Sequence, residues 1–111
     1  MRKIKYPAIY KHFKNNYYAV MSVSNLKSIE GDYNDFHKLI AYHTELNKNI
    51  AIYKSENGYF HNEILDNVLV LYKALYDDKG IYARPLDMFL SKVDKNKYKD
   101  AKQEFRFELV Y

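Results

Sequence analysis

The sequence predicts a mainly β protein, a small single domain folded as a curled sheet or partly closed β-barrel of SH3-like size. Short segments alternate apolar and polar residues, as strands with one buried face do. Clusters of Asn, Asp and Gly separate these segments, which is typical of tight turns. Helical periodicity is weak and is limited to one short helical turn after Pro85, since proline favours the first position of a helix. A chain of 111 residues is long enough to bury one core.

Seven strands are predicted along the chain. Asn15 and Asn16 supply the first turn, since Asn tolerates the left-handed backbone of a two-residue hairpin. A second turn over 77–80 ends the strongest strand, and the short helical segment is expected within 86–93. The strands cover residues 9–13, 17–23, 38–43, 49–54, 68–76 and 81–84, and the last runs through Phe105, Phe107 and Leu109.

The alternation of the first strand predicts which side chains face the core. Ile9 and Phe13 share one face, which we expect to be buried, while Tyr10, His12 and Lys14 share the other. The other predicted core residues are large apolar side chains on or near the strands of the second half of the chain, namely Leu75, Met88, Phe89 and Phe107.

Two long polar connections interrupt the predicted strands. Residues 24–36 and 55–67 are rich in Asn, Asp, Glu and Ser. Long connections in a compact domain are usually functional or disordered. We therefore expect these segments to be functional or disordered loops.

Charge is distributed unevenly along the chain, whose formal net charge is +4. Residues 1–14 contain five basic residues and no acidic one, whereas residues 24–67 contain four lysines and seven acidic residues. The basic surface is thus predicted to belong to the two ends of the chain. An A/T-rich genome would also favour Lys, Asn, Ile and Tyr, so total basicity carries less weight than its placement.

Several classes of protein are excluded by composition and motifs. The chain has no Cys, which excludes a disulfide scaffold, a thiolate zinc site and a Cys nucleophile. His37 and His43 share a strand face without an evident third metal ligand, so neither a metal nor another cofactor is expected. No phosphate-binding glycine loop or nucleophile elbow occurs, and we expect no enzymatic activity. The absence of a long apolar run predicts a cytoplasmic protein.

Three blocks and the opening of the chain carry a family resemblance. Residues 70–76 read V-L-Y-K-A-L-Y, residues 80–89 read G-I-Y-A-R-P-L-D-M-F and residues 106–108 read R-F-E, while residues 9–14 read I-Y-K-H-F-K. The pattern resembles a small bacterial and phage family, domain-of-unknown-function family 1653. The resemblance implies a small β-barrel-like fold and no catalytic residues. Relative to that family, this chain has a long insertion between the opening and the second-half blocks, and Asn15, Asp77 and Tyr82 stand where the family has Gly, Gly and Trp.

The candidate ligand-binding residues combine aromatic rings with cationic groups. A ring can stack on a base, and the fork of Arg84 can bind phosphate oxygens in pairs. Because Arg84 precedes Pro85, its backbone is held extended. The alternative interpretation pairs Arg84 with Asp87 or a neighbouring acid and places the tyrosines at the edge of the core. The predicted binding residues are Tyr10, His12, Lys14, Tyr72, Tyr82 and Arg84.

Three functions fit the sequence. The first is a non-catalytic protein that holds a small anionic ligand, a nucleotide or nucleotide-derived signal, as a phage-type sequestering protein would. The second is RNA or single-stranded DNA binding by the basic ends. The third is a protein-interaction module that inhibits a host factor through the acidic connections 24–36 and 55–67. Homo-oligomer formation is a further expectation, because the long connections could meet at a subunit interface.

Overall fold

The computed structural model describes residues 2–28, 33–62 and 67–111. It confirms a mainly β fold, in which eight strands are joined by one short α-helix and one 3-10 turn at Tyr33–Asp35. The strands are β1 (Ala8–His12), β2 (Tyr17–Leu26), β3 (His37–His43), β4 (Lys48–Ser55), β5 (Gly58–His61), β6 (Val68–Ala74), β7 (Ile81–Pro85) and β8 (Phe107–Leu109), and the helix α1 is Leu86–Phe89.

Six of the strands close into a barrel. Their order is β5, β4, β3, β7, β6 and β2, and a parallel pairing of β2 with β5 completes the ring. β2 can pair with β5 at its end and with β1 at its beginning because the strand is ten residues long and bends. Its pairing with β6 shifts register between Val20 and Ser22, which leaves Met21 as an extra residue. Such a bulge bends a strand and increases its twist.

A second, open part of the sheet extends from the barrel through the first half of β2. Residues before the bulge pair with β1, from Ala8 opposite Val20 to Lys11 opposite Tyr17. β8 then pairs antiparallel with β1 on its other side. Residues Ser24 to Leu26, beyond the bulge, pair with β5. One strand therefore belongs to both the barrel and its extension.

The apolar residues form two clusters, where chain length alone predicted one core. The inner cluster lies on four of the six barrel strands, and the outer cluster covers the other face of the β1, β2 and β6 wall. β6 serves both, since successive side chains of a strand point to opposite faces. The inner cluster contains Ala41, Ile50, Ile52, Leu69, Leu71 and Ala83. The outer cluster contains Ala8, Tyr10, Val20, Val70, Tyr72, Phe89 and Phe107.

The predicted orientation of β1 is wrong. Tyr10 is only 2% exposed, whereas Ile9 remains half-buried. The reason is that α1 and β8 cover the Tyr10 side, and the ring of Phe89 meets that of Tyr10 edge-on with centroids 5.3 Å apart. Leu75 is also misplaced by the prediction, because β6 ends at Ala74 and leaves Leu75 56% exposed.

Parts of both predicted connections are regular structure. Residues 24–26 continue β2, and Gly58–His61 form β5 inside the stretch predicted as a loop over 55–67. Gly58 permits the hairpin between β4 and β5, since its φ is +126°. Residues 29–32 and 63–66, which belong to the same two connections, lie outside the described part of the chain.

The predicted helical turn after Pro85 is confirmed and is short. It spans Leu86–Phe89, and the amide of Leu90 donates to the carbonyl of Leu86 at 3.0 Å. Phe89 points into the outer cluster, which accounts for the packing of so short a helix. Across residues 2–28, 33–62 and 67–111, no helix is long and apolar enough to cross a membrane.

Candidate functional site

A pocket of about 360 Å³ lies where the end of β1 meets the segment before β8. The first turn of the chain forms one wall, and residues 93–98 form another. Arg106, just before β8, lines it as well. We call this cavity the basic pocket, and its lining residues are His12, Phe13, Lys14, Val93, Asp94, Lys97, Tyr98 and Arg106.

Backbone hydrogen bonds hold the walls of the basic pocket together. His12 lies opposite Phe107 in the β1–β8 ladder. One residue further along β1, the amide of Phe13 donates to the carbonyl of Arg106 at 3.0 Å. Asn15 then turns the chain with a φ of 74°, a left-handed conformation that Asn tolerates. The pocket therefore joins the two basic ends of the chain, which are 92 positions apart at Lys14 and Arg106.

The 93–98 wall is shaped by Asp94. The carbonyl oxygen of Asp94 accepts from the amide of Tyr98 at 2.8 Å, and its carboxylate accepts from the amide of Asn96 at 3.0 Å. Lys95 donates to the carbonyls of Ala101 and Gln103, which secures the following segment. The one acidic side chain of the basic pocket thus stabilises its own turn.

Three cations line the basic pocket without an acidic partner. Within residues 2–28, 33–62 and 67–111, no salt bridge involves Lys14, Lys97 or Arg106. The Nε atom of Arg106 is buried and has no hydrogen-bond partner there. A buried donor without a partner costs free energy, so it favours a ligand oxygen that would accept its hydrogen.

His12 is kept neutral by its surroundings. Burial lowers its pKa to about 4, and the charges of Arg84, Lys14 and Arg106 add to the effect. Its Nδ1 accepts from the amide of Lys14 at 3.2 Å, which assigns the proton of the neutral ring to Nε2. His12 can therefore offer an N–H donor at neutral pH without adding a charge.

The outer face of the barrel holds Arg84 close to this site. Its Nε donates to the hydroxyl of Tyr72 at 3.0 Å, and its guanidinium carbon lies 5.7 Å from the centre of the Phe107 ring. Tyr82 packs beside Tyr72 with ring centroids 5.6 Å apart. Burial raises the pKa of Tyr72, against the opposing effect of Arg84. The pairing of Arg84 with Asp87, weighed as the alternative, is absent from the described residues.

The six predicted binding residues fall into three groups. His12 and Lys14 line the basic pocket. Arg84, Tyr72 and Tyr82 form a neighbouring group, which is connected to His12 through Phe107 because the His12 and Phe107 rings lie 4.9 Å apart. Tyr10 lies within the outer cluster, and its hydroxyl accepts from the amide of Lys5 at 3.0 Å. The structure therefore gives Tyr10 a packing role, and Tyr72, which is also 2% exposed, packs in the same cluster.

Six of the eight residues that line the basic pocket are missing from the predicted set, and three of them are cationic or aromatic groups that the site depends on. Arg106, Lys97 and Tyr98 lie in the second basic end of the chain, where charge placement alone gave no residue-level signal. The R-F-E block was the available indication, since it draws attention to Arg106. In the described residues, no group of three or more His, Asp or Glu side chains could hold a metal ion.

We expect the stability of the protein to fall as pH decreases from about 6.5 to about 4 because of His12. In this range the unfolded chain takes up a proton that the folded state excludes, so the contribution of His12 is complete above pH 6.5 and is lost toward pH 4. Urea unfolding at half-unit pH steps measures it, and His12→Asn should flatten the profile. The matched control is His37→Asn at an exposed site of β3, which should leave the profile unchanged. Equal profiles for the wild-type protein and His12→Asn would contradict the expectation.

Comparison with known families defines how far the sequence resemblance extends. The model of the family described as Protein of unknown function (DUF1653) matches residues 58–109. The predicted resemblance to DUF1653 is confirmed there. No curated protein and no solved structure matches the chain. The DUF1653 match contains Tyr72, Tyr82, Arg84 and Arg106. It begins at residue 58 and so does not include His12 and Lys14, and the resemblance of the I-Y-K-H-F-K block stays a prediction.

Proposed function

We propose that the protein is a non-catalytic binding protein that holds a small anionic ligand, a nucleotide or nucleotide-derived signal, in the basic pocket. The observation that carries the proposal is the buried, unpartnered Nε of Arg106 beside Lys14 and Lys97. A phosphate group supplies both the negative charge and the acceptor oxygens that this arrangement lacks. Charge-assisted hydrogen bonds of this kind are about twice as strong as neutral ones.

The size and walls of the basic pocket support a nucleotide-like ligand. Its volume of about 360 Å³ lies at the lower end of the range for small-molecule sites. Phe13 and Tyr98 form an aromatic wall with ring centroids 4.8 Å apart, and neither ring is fully buried. A base or ribose could pack on these rings while the phosphate contacts Arg106.

The side chains at the basic pocket are consistent with a protein that binds a ligand without converting it. His12, the histidine there, is neutral and its Nδ1 accepts from the backbone, which leaves it a donor rather than a base. Sequestration of a nucleotide signal in the cytoplasm, by a homo-oligomer, remains our proposal for its biological setting. Interaction with a host protein through 24–36 and 55–67 stays an alternative prediction.

We expect Arg106→Gln to weaken binding of a nucleoside monophosphate about 10- to 100-fold, since it removes hydrogen bonds to a charged group. Native mass spectrometry against a mixed nucleotide panel identifies the ligand, and calorimetry measures its affinity. Because Arg106 is partly buried, its replacement could affect folding, so the exposed Lys14→Gln and Lys97→Gln variants provide a second test. Each should weaken binding about twofold to fivefold, as exposed ion pairs do.

The matched control is Lys79→Gln, which removes an exposed lysine from the turn between β6 and β7. It should bind as the wild-type protein does. A wild-type protein that binds no member of the panel would overturn the proposal, as would a folded Arg106→Gln variant with unchanged affinity.

A further inference from the structure

We propose that the ligand is a short single-stranded oligonucleotide, one nucleotide of which occupies the basic pocket while its neighbours follow an adjoining groove. This inference rests on the proposed function, because the first nucleotide uses the same Arg106 site. It differs in requiring contacts outside the basic pocket. Those contacts decide between a mononucleotide and a strand.

Two further depressions continue from the basic pocket. One, of about 350 Å³, shares Phe13, Lys97 and Tyr98 with it. The other, of about 340 Å³, shares Phe13 with both and also borders Asp100. Together the three depressions form a continuous path around Phe13, which we call the groove. A mononucleotide would fill one depression and leave the other two empty.

The groove is lined by more basic than acidic side chains. Six basic residues face it, against Asp94 and Asp100. The carboxylate of Asp94 accepts from its own turn, which reduces its effect on an anion. No salt bridge neutralises any of the six within residues 2–28, 33–62 and 67–111. These cations are Lys11, Lys14, Lys97, Lys99, Lys102 and Arg106.

Aromatic rings at the centre of the groove favour nucleic acid over an acidic peptide. Phe13 and Tyr98 lie between the depressions, and the ammonium of Lys14 lies 5.4 Å from the centre of the Tyr98 ring and 5.8 Å from that of Phe13. Proteins that bind single strands combine a positively charged groove with rings on which bases stack. An acidic peptide would use the lysines but would gain less from the rings.

The test measures binding of labelled oligothymidylates and oligouridylates of one, two, four and six nucleotides by fluorescence anisotropy. We expect affinity to rise about tenfold or more from one to four nucleotides and then to level off, because the groove has a fixed length. The slope of affinity against salt should steepen by about 0.7 for each added phosphate contact.

Variants separate the groove from the basic pocket. The double variant Lys99→Gln, Lys102→Gln should weaken binding of the tetranucleotide about threefold to tenfold and leave the mononucleotide unchanged, since each exposed cation contributes modestly. Tyr98→Leu keeps an apolar contact with Phe13 but removes the stacking surface, and should weaken tetranucleotide binding about tenfold. Lys79→Gln is the control for charge alone.

The outcomes distinguish the two proposals. If the tetranucleotide binds no more tightly than the mononucleotide, the inference fails while the proposed function stands. If neither binds, both fail. If poly-glutamate or an abasic tetramer binds as tightly as the tetranucleotide, the groove recognises a polyanion rather than bases, and the inference is overturned.

Discussion

Replacement of Phe107 by alanine is expected to lower the free energy of unfolding by about 3–5 kcal/mol, the usual cost of truncating a buried phenylalanine. Phe107 is 1% exposed and stacks on Phe89 with centroids 4.0 Å apart and planes 8° apart. It also meets the rings of Tyr18 and Tyr72 at 5.6 and 5.7 Å. These ring neighbours lie on β2, β6 and α1, whose backbones restrict how far they can move to refill the cavity. Urea unfolding followed by circular dichroism measures the loss.

Phe107→Ala is also expected to weaken nucleotide binding, whereas a destabilising substitution far from the basic pocket is not. The ring of Phe107 supports His12, and its backbone continues from Arg106, the residue that carries the proposed function. The matched control is Leu109→Ala, two positions further along β8, where the side chain is 48% exposed. We expect that control to change stability by less than about 1 kcal/mol. A loss at Phe107 as small as at Leu109 would show that the outer cluster does not hold β8 in place.

The fold class could be predicted because its signals are local. Alternation along 9–13 and 81–84, and the Asn pair at Asn15 and Asn16, fix strands and turns within a few residues of sequence. Each of these predictions corresponds to a strand or a turn in the structure. The family resemblance added the same barrel-like expectation; the DUF1653 match confirms the resemblance over residues 58–109, and the closed ring of strands confirms the fold.

Closure of the barrel could not be predicted, because it depends on a long-range pairing. β5 has four residues and lies among polar ones, so its composition indicates a loop. It is ordered as a strand by β4 on one side and by the end of β2 on the other. The partner residues, Ser24 opposite Tyr59 for example, are 35 positions apart in the sequence. No local pattern reports such a contact.

The orientation of β1 was wrong for a related reason. Ile9 and Phe13 on one face and Tyr10 and His12 on the other are both compatible with a buried side. The choice depends on what covers the strand, and the cover consists of α1 and β8, which come more than 70 residues later. Period-two alternation identifies two faces but does not say which one is buried.

The candidate site was predicted in part, again according to sequence distance. His12 and Lys14 were found because they are near neighbours on one strand face. Arg106 and Tyr98 were missed because only the β1–β8 pairing brings them to that face. The basic residues at both ends of the sequence predicted a basic surface there. The pairing of β1 with β8 explains why the two ends form one surface.

Replacement of Ile52 by alanine is expected to lower the free energy of unfolding by about 2–5 kcal/mol while nucleotide binding is retained. Ile52 is fully buried in the inner cluster, on the strand between β3 and β5, and alanine would leave a cavity inside the closed ring. The basic pocket lies outside the barrel on β1 and the segments before β8, so its geometry does not depend on Ile52.

The control for Ile52→Ala is Ile40→Ala on the neighbouring strand β3. Ile40 has the same side chain but is 51% exposed, so we expect a change below about 1 kcal/mol. Chemical denaturation gives the stabilities, and calorimetry at a temperature where each variant is folded gives the affinities. If Ile52→Ala abolished binding in the folded protein, the inner and outer clusters would be coupled through β6, which supplies side chains to both. Retained binding would instead show that the barrel interior supports the fold and the outer face carries the ligand.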